Sequence, residues 1–265
     1  MLPLSDFPVE ARRGIRGVLC DIDDTLTTGG RLTAGAYGAL ERLQAAGLLV
    51  VPVTGRPAGW CDLIARQWPV SAVVGENGAF YFRYDGAARR MIRRYAHDDA
   101  SRAAQRERLK QIAAGIVAQV PGAALAADQG YRETDLAIDW CEDVARLPRA
   151  AVDRIVALME AGGLTAKVSS IHVNGWFGTY DKLAMAKLLM REAFGADLDG
   201  ARGQYVFVGD SPNDAPMFAH FPHAVGVANI REFAGRLAHE PRYVTQAAGG
   251  AGFRELADFL LAAKT

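Results

Sequence analysis

The chain has 265 residues, half of them hydrophobic, which is enough apolar material for one large domain or two modest ones. Its 30 basic and 30 acidic side chains leave no net formal charge, so composition gives no reason to expect nucleic acid or an anionic membrane as a partner. The three cysteines (Cys20, Cys61 and Cys141) are scattered and form no CxxC pair, which favours reduced core residues over a disulfide or zinc site. No apolar run approaches the roughly 20 residues of a membrane span, and the first residues do not resemble a signal peptide. We therefore expect a cytoplasmic protein.

The first part of the chain alternates apolar runs with amphipathic stretches. Buried strands are predicted at residues 18–20, 48–53 and 72–74, although Pro52 is unusual in a central strand. Helices are predicted between them, the first from the N-cap Thr33 to Gly47 and the second over residues 58–68. This order of strand, helix, strand, helix and strand predicts a parallel sheet with right-handed crossovers.

The middle of the chain has a different pattern. Residues 80–84 and 89–95 flank Asp85-Gly86 and predict an antiparallel hairpin. Further elements follow: helices at 99–120 and 148–161, and strands at 134–140 and 164–173. Hairpins and helices in this arrangement predict a separate α+β unit, residues 84–176, inserted into the first domain.

The last part returns to the first pattern. A helix is predicted from Lys182, a buried strand at residues 204–208, and a helix from Pro212 to Phe218. Two short strands and a final helix complete this part: 224–227, 242–244 and 252–262. The predicted fold class is therefore α/β, with a Rossmann-like parallel-sheet core formed by residues 1–83 and 177–265.

Acidic side chains follow two of the predicted strands. Asp21 and Asp23 end the first strand, and Asp210 and Asp214 follow the strand at residues 204–208. The carboxyl ends of parallel strands meet at one edge of the sheet, so these groups converge there. Grouped carboxylates repel one another unless a hard cation binds, and Mg²⁺ prefers oxygen ligands. The pattern predicts a magnesium-assisted reaction with a carboxylate nucleophile; the alternative for the first pair is an ordinary helix-capping loop.

Two further positions suit an anion. Thr54 and Gly55 lie between a strand and a helix, where a hydroxyl group, a close backbone and a helix N-terminus favour a phosphate. Lys182 stands near a helix start, where the helix dipole disfavours a cation, so its charge indicates a function there. The alternatives are an ordinary turn and a solvated surface lysine.

Taken in order, four motifs resemble those of the haloacid dehalogenase superfamily: DIDDTLT, VTGRP, the helix of Lys182 and GDSPNDAPMF. The DxDxT form resembles the phosphatases of that superfamily more than its dehalogenases. The insertion between Thr54 and Lys182 is similar to the branch with large α/β caps that contains Cof-type, sucrose-phosphate and mannosyl-3-phosphoglycerate phosphatases. Position 24 is Asp where many relatives in this branch have Gly. The resemblance covers residues 15–83 and 177–262 and implies an inserted α+β cap domain.

The resemblance also implies roles for individual residues. Asp21 is expected to be the nucleophile that forms an aspartyl-phosphate, and Asp23 the general acid and base. The expected metal-binding residues are Asp21, Asp23 through its carbonyl, Asp210 and Asp214, the last either as a direct ligand or by supporting the other ligands. The expected phosphate-binding residues are Thr54, Gly55, Lys182 and Asn213.

Residues 169–176 are expected to determine the substrate specificity. Strand alternation puts His172, Asn174 and Trp176 on one face, and polar groups with an indole suit a sugar ring. The alternative is a structural role for each of them. Glu76 and Asn77 are weaker candidates for a role in substrate binding.

These features predict Mg²⁺-dependent hydrolysis of a small phosphorylated metabolite, either a sugar phosphate or a phosphoglycerate-type ester, by a monomer or homodimer. One alternative is a phosphotransferase or phosphomutase of the same superfamily. The other is a non-catalytic module that binds a sugar phosphate and has a regulatory role.

Overall fold

The computed structural model describes residues 1–264. Its strands are β1 (Leu2–Pro3), β2 (Gly17–Cys20), β3 (Thr27–Thr28), β4 (Arg31–Leu32), β5 (Leu49–Pro52), β6 (Val73–Gly75), β7 (Phe80–Asp85), β8 (Arg90–Tyr95), β9 (Ala124–Leu125), β10 (Leu136–Asp139), β11 (Thr165–Val168), β12 (His172–Trp176), β13 (Tyr205–Gly209), β14 (Val225–Gly226) and β15 (Tyr243–Val244).

Its α-helices are α1 (Val9–Arg13), α2 (Ala34–Ala45), α3 (Ala58–Gln67), α4 (Asp99–Gln119), α5 (Arg149–Ala161), α6 (Lys182–Phe194), α7 (Ala215–His220) and α8 (Gly249–Leu261). None of the helices within residues 1–264 has the length and apolar character needed to cross a membrane.

A parallel sheet forms the centre of the molecule, in the order β1-β15-β14-β13-β2-β5. Val18 of β2 lies opposite Val206 of β13 on one side and Val50 of β5 on the other. These strands are short apolar runs because both of their faces are covered by helices. The predicted α/β fold with a parallel sheet is confirmed.

The alternation of side chains divides the central sheet into two apolar clusters. Val18 and Val206 point to one face and pack with residues of α2 and α8, including Leu40 and Phe253. Leu19, Val51 and Phe207 point to the other face, where they pack with Met185 and Leu189 of α6. This two-sided burial fixes the register of β2, since a slip by one residue would exchange the two faces.

Pro52 is accommodated because β5 is the edge strand of the central sheet. A proline lacks a backbone N–H group, which is tolerated in an edge strand better than in an interior one. The next residue, Val53, forms a parallel bridge to Val74, which connects the third predicted strand to the sheet. From there β6, β7 and β8 form an antiparallel three-stranded sheet.

A separate four-stranded antiparallel sheet has the order β11-β12-β10-β9. With α4 and α5 it encloses its own apolar cluster, which contains Ile116, Ile138, Ile155 and Val173. We call β9–β12 with α4 and α5 the antiparallel unit. His172 and Asn174 alternate with Val173 along β12, so their side chains lie on the face of the sheet that does not contact these helices.

Two details differ from the sequence-based expectation. The single strand predicted at residues 164–173 is wrong: β11 and β12 form a hairpin around the serine-containing turn at residues 169–171. The turn forms because Ser169 N donates to His172 O (2.8 Å), while its Oγ accepts from the backbone N–H of His172 (3.0 Å). The short hairpin β3–β4 around Gly29-Gly30 lies between β2 and α2, where no strand was predicted.

Strand β8 lies in the predicted insertion, yet its Met91 and Tyr95 pack against the apolar cluster that contains Val18. The division into residues 1–83 with 177–265 and residues 84–176 stays a prediction.

Gly78 allows the β6–β7 turn to contact the start of α6. Its φ is +105°, and a Cβ there would lie 2.0 Å from the carbonyl oxygen of Asp181. We expect Gly78→Ala to lower the free energy of unfolding by more than about 3 kcal/mol, because strain adds to a backbone clash. Gly235, with φ +74° and no atom within 4 Å of the position that a Cβ would take, is the control. Gly235→Ala should cost about 1 kcal/mol from strain alone. If urea denaturation gave the same loss in the free energy of unfolding for both variants, the clash at Gly78 would be contradicted.

Candidate active site

The carboxyl ends of the central strands bring the predicted charged groups together. Asp21 follows β2, Asp210 follows β13, and Lys182 is the first residue of α6. The Lys182 ammonium donates to Asp21 Oδ1 (2.6 Å) and to Asp214 Oδ1 (2.7 Å). Predicted site residues from the first and the last part of the chain thus meet at one point.

Three of these residues form a buried acidic cluster: Asp21, Asp210 and Asp214. One carboxylate oxygen from each lies within 4.8 Å of the others. Burial raises the pKa of Asp21 to about 8, although Lys182 opposes the shift. Burial and the neighbouring carboxylates also raise the pKa of Asp210. One ammonium group balances three carboxylates incompletely, and an all-oxygen donor set of this kind fits Mg²⁺.

Burial alone would lower the pKa of Lys182, but Asp21 and Asp214 outweigh it and keep the pKa above its ordinary value. The side chain is therefore a permanent cation at the centre of the cluster, next to the oxygen of Asp21. The unfavourable position near a helix N-terminus is offset by these two carboxylates.

Asp214 is held by the backbone of its own motif. Its Oδ2 accepts hydrogen bonds from the N–H groups of Asp210 (3.2 Å) and Ser211 (3.5 Å). The close approach requires a glycine at position 209, where a Cβ would lie 2.2 Å from Asp214 Oδ2.

Asp210 is oriented by two donors. Thr25 Oγ1 donates to its Oδ1 (3.3 Å) and Asn229 Nδ2 donates to its Oδ2 (3.2 Å). Asn229 also donates to the carbonyl oxygen of Asp24 (3.0 Å), a residue whose φ of 55° explains why glycine suits this position. The sequence analysis missed Asn229, which follows a short strand without a recognisable motif.

Two of the predicted phosphate-binding residues, Gly55 and Asn213, line one side of a small cavity together with Asp21. Thr54 Oγ1 accepts from the backbone N–H of Arg56 (3.0 Å), which shapes the loop around Gly55. Asn213 Nδ2 donates to Asn77 Oδ1 (3.4 Å), while Asn77 Nδ2 is buried and has no hydrogen-bond partner among residues 1–264.

The other side of the cavity comes from the antiparallel unit. Four residues of the β11–β12 hairpin line it: Ser169, Ile171, His172 and Asn174. Asp23 and Arg56 complete the lining of the cavity. Trp176 is not among the lining residues; its indole N–H donates to the carbonyl oxygen of Tyr180 (3.2 Å), on whose ring it stacks. Two of the three predicted specificity residues therefore face the site.

Arg56, which the sequence analysis did not single out, binds the predicted general acid. Its Nε donates to both carboxylate oxygens of Asp23 (3.0 Å each) and its Nη2 donates to Asp23 Oδ1 (2.8 Å). The same guanidinium donates to Glu142 Oε1 (2.5 Å) and Asp128 Oδ2 (3.2 Å). It therefore joins the DxD motif to two acids that lie outside the predicted core.

Glu142 also pairs with His172, whose Nε2 lies 2.9 Å from Glu142 Oε2. Burial would raise the pKa of Glu142, but the hydrogen bonds from His172 and Arg56 outweigh it and lower the pKa to about 2. No sequence signal marked Glu142, because it stands in an irregular segment after β10.

Glu76 connects the central sheet to the antiparallel unit. Its Oε1 accepts from the N–H groups of Ala58 (3.0 Å) and Glu133 (2.9 Å). Its Oε2 accepts from the N–H groups of Thr134 (2.7 Å) and Asp135 (3.1 Å) and from the Thr134 hydroxyl group. Arg132 reinforces this junction by donating to the carbonyl oxygen of Gly55 (2.8 Å).

Comparison with known proteins agrees with the motifs. Residues 18–105 match the family of haloacid dehalogenase-like hydrolases. A comparison with curated protein sequences gave no match. The resemblance to this superfamily, and the expectation of an enzyme of its hydrolase class, are confirmed.

Solved structures share the fold across almost the whole chain. Thermoplasma acidophilum 0175 is 18% identical with a TM-score of 0.68, covering 93% of this chain and 98% of the other. The C-terminal domain of the trehalose-6-phosphate phosphatase of C. albicans is 14% identical with a TM-score of 0.70, covering 99% of each chain. The sucrose-phosphatase of Synechocystis sp. PCC6803, solved with sucrose and phosphate, is 15% identical with a TM-score of 0.63 and covers 93% of this chain and 98% of the other.

The junction predicts a large effect of Glu76→Gln on stability. Every partner of Glu76 is a donor, so a glutamine NH₂ group would face buried donors and leave them unpaired. We expect a loss of about 3–5 kcal/mol in the free energy of unfolding, measured by urea denaturation. Glu107→Gln, on the exposed pair with Lys110, should cost less than about 1 kcal/mol. A loss at Glu76 no larger than at Glu107 would contradict the role of this junction.

Proposed function

We propose that this haloacid dehalogenase-like hydrolase is a Mg²⁺-dependent phosphatase of a small phosphorylated metabolite. The observation that carries the proposal is the buried contact of Lys182 with Asp21 and Asp214 beside Asp210, facing a polar cavity. A pocket with these charges suits a phosphoryl group, whose transfer needs mainly positioning and charge stabilisation.

In the proposed first step, an Asp21 carboxylate oxygen attacks phosphorus. A new P–O bond to Asp21 forms as the ester P–O bond breaks, and Asp23 gives a proton to the departing oxygen. In the second step, Asp23 takes a proton from water, the water oxygen attacks the aspartyl-phosphate, and inorganic phosphate and the Asp21 carboxylate are released. Asp23 thus gives up one proton in the first step and regains one in the second, and in each step one P–O bond forms as another breaks.

The phosphoryl oxygens are proposed to be bound by the predicted set: Thr54, Gly55, Lys182 and Asn213. The support is that Lys182 contacts the nucleophile, and that Gly55 and Asn213 line the same cavity as Asp21. The buried Nδ2 of Asn77, which has no hydrogen-bond partner within residues 1–264, lies beside Gly55 and adds a further donor.

Mg²⁺ would be held by Asp21, the carbonyl group of Asp23 and Asp210, and it would supply positive charge beside the phosphoryl group. Asp214 is proposed to support the metal indirectly. Its Oδ1 already accepts from Lys182 and its Oδ2 from two backbone N–H groups, so both of its oxygens are engaged.

We further propose that residues 84–176 are the cap of this enzyme, with residues 1–83 and 177–265 as its catalytic core. The separate apolar cluster of the antiparallel unit supports this division. His172 and Asn174 would contact the part of the substrate that leaves, and Trp176 would support their strand. A polar lining favours a sugar phosphate or phosphoglycerate-type ester, and a monomer or homodimer in the cytoplasm stays our expectation.

Phosphate release from sugar, glycerol and nucleotide monophosphates tests the function. We expect turnover by the wild type with Mg²⁺, none with EDTA, and a loss of at least about a thousandfold in Asp21→Asn, because the amide is no nucleophile. Asp6→Asn, an exposed matched change, should leave turnover unaffected. Transfer of phosphate to a second metabolite without release into water would favour a phosphotransferase or mutase. Binding without any turnover would favour a regulatory module.

A further inference from the structure

We propose that Glu142 is a positioning residue that keeps the Arg56 guanidinium paired when Asp23 turns away from it, and so frees the Asp23 carboxyl group for proton transfer. The inference rests on the phosphatase function proposed above. It assigns a task to a side chain of the irregular segment after β10, which contacts Arg56 and His172.

The contact between Arg56 and Asp23 conflicts with proton transfer. Both carboxylate oxygens of Asp23 accept from Nε (3.0 Å each), and Oδ1 also accepts from Nη2 (2.8 Å). A general acid must present its O–H to the leaving oxygen within hydrogen-bond distance. Asp23 therefore has to turn at least one oxygen away from Arg56 before the ester bond breaks.

Glu142 competes for the same guanidinium N–H groups. Nη2 is shared between Asp23 Oδ1 (2.8 Å) and Glu142 Oε1 (2.5 Å), and Nη1 donates to Glu142 Oε2 (3.4 Å). If Asp23 turns away, Arg56 keeps Glu142 and Asp128 as partners. No unpaired buried charge results, which would otherwise be strongly unfavourable.

Asp128 cannot replace Glu142 in this task. Its two oxygens already accept from Arg132, with Oδ1 at 3.2 Å from Nε and 3.1 Å from Nη2, and Oδ2 at 3.3 Å from Nη2. Without Glu142, Arg56 would depend on Asp23 for most of its charge compensation, and Asp23 would stay bound.

The position of Glu142 is fixed by its own segment. The buried Asp139 carboxylate accepts from the N–H groups of Cys141 (2.9 Å), Glu142 (2.8 Å) and Asp143 (2.8 Å). His172 Nε2 lies 2.9 Å from Glu142 Oε2. Because all of these residues belong to the antiparallel unit or the segment that follows β10, Glu142 reaches Arg56 only while that unit covers the strand ends of the central sheet. Release of Asp23 is thereby linked to a covered active site.

Glu142→Gln tests the proposal through the leaving group. An alkyl leaving group needs protonation, whereas p-nitrophenolate leaves without it. We expect kcat/KM to fall about 10- to 100-fold for glycerol phosphate and less than about threefold for p-nitrophenyl phosphate. Competitive inhibition by inorganic phosphate should be unchanged, since the phosphate pocket is intact. Glu142→Asp, which keeps the charge on a shorter side chain, should recover part of the loss.

The side chain of Glu142 is 26% exposed, so its replacement leaves the apolar clusters untouched. Asp143→Asn, the same loss of charge at the next, exposed position, is the matched control, and it should leave kcat/KM unchanged for both esters. Equal losses for both esters, or weaker inhibition by phosphate, would overturn the proposal in favour of a structural or phosphate-binding role. A wild type that hydrolyses neither ester in an Asp21-dependent manner would refute the phosphatase function itself, which is a separate result.

Discussion

The arrangement of this protein depends on how negative charge is balanced at one end of a parallel sheet. Asp21, Asp210 and Asp214 are buried within 4.8 Å of one another, and Lys182 is the ammonium group that contacts two of them. Without a counter-charge such a cluster would be strongly unfavourable. The order of the central sheet follows from this requirement, since β2 and β13 must be neighbours for their terminal carboxylates to meet. The glycine before Asp210 and the tight turn after it serve the same purpose, because they let two backbone N–H groups bind Asp214.

The junction between the central sheet and the antiparallel unit is ionic rather than apolar. Each side has its own apolar cluster, and buried charged side chains connect the two: Arg56, Glu76, Asp128, Arg132 and Asp135. An apolar junction would be held together by the cost of exposing its surface to water. Charged groups are instead hydrated when they separate, which offsets the contacts that they lose. Such a junction can hold a precise geometry when closed and still open at moderate cost.

Much of the core could be predicted from the sequence because its signals are local. Apolar runs that end in Asp21 and Asp210 indicate buried strands with ligands at their ends, and Thr33 caps α2 through the N–H of Ala36 as expected. The break between β11 and β12 was missed, since the serines that turn the chain lie within a stretch of strand-like periodicity. Arg56, Glu142 and Asn229 could not be found in this way. Glu142 lies 86 positions after its partner Arg56, and Asn229 lies 205 positions after its partner Asp24. No local sequence pattern encodes contacts over such separations.

Strand β12 has one apolar face and one mainly polar face. Val173 packs into the apolar cluster, whereas His172 and Asn174 face the cavity. Substitutions at the two polar positions therefore open no hole in this apolar cluster. The two side chains are separated by two residues of extended chain, or about 7 Å. Trp176 lies on the same face of the strand, but its indole N–H donates to the Tyr180 carbonyl oxygen and the side chain does not line the cavity. With Ser169 and Ile171 of the preceding turn, these two side chains give the cavity a mainly polar lining on the side of the β11–β12 hairpin.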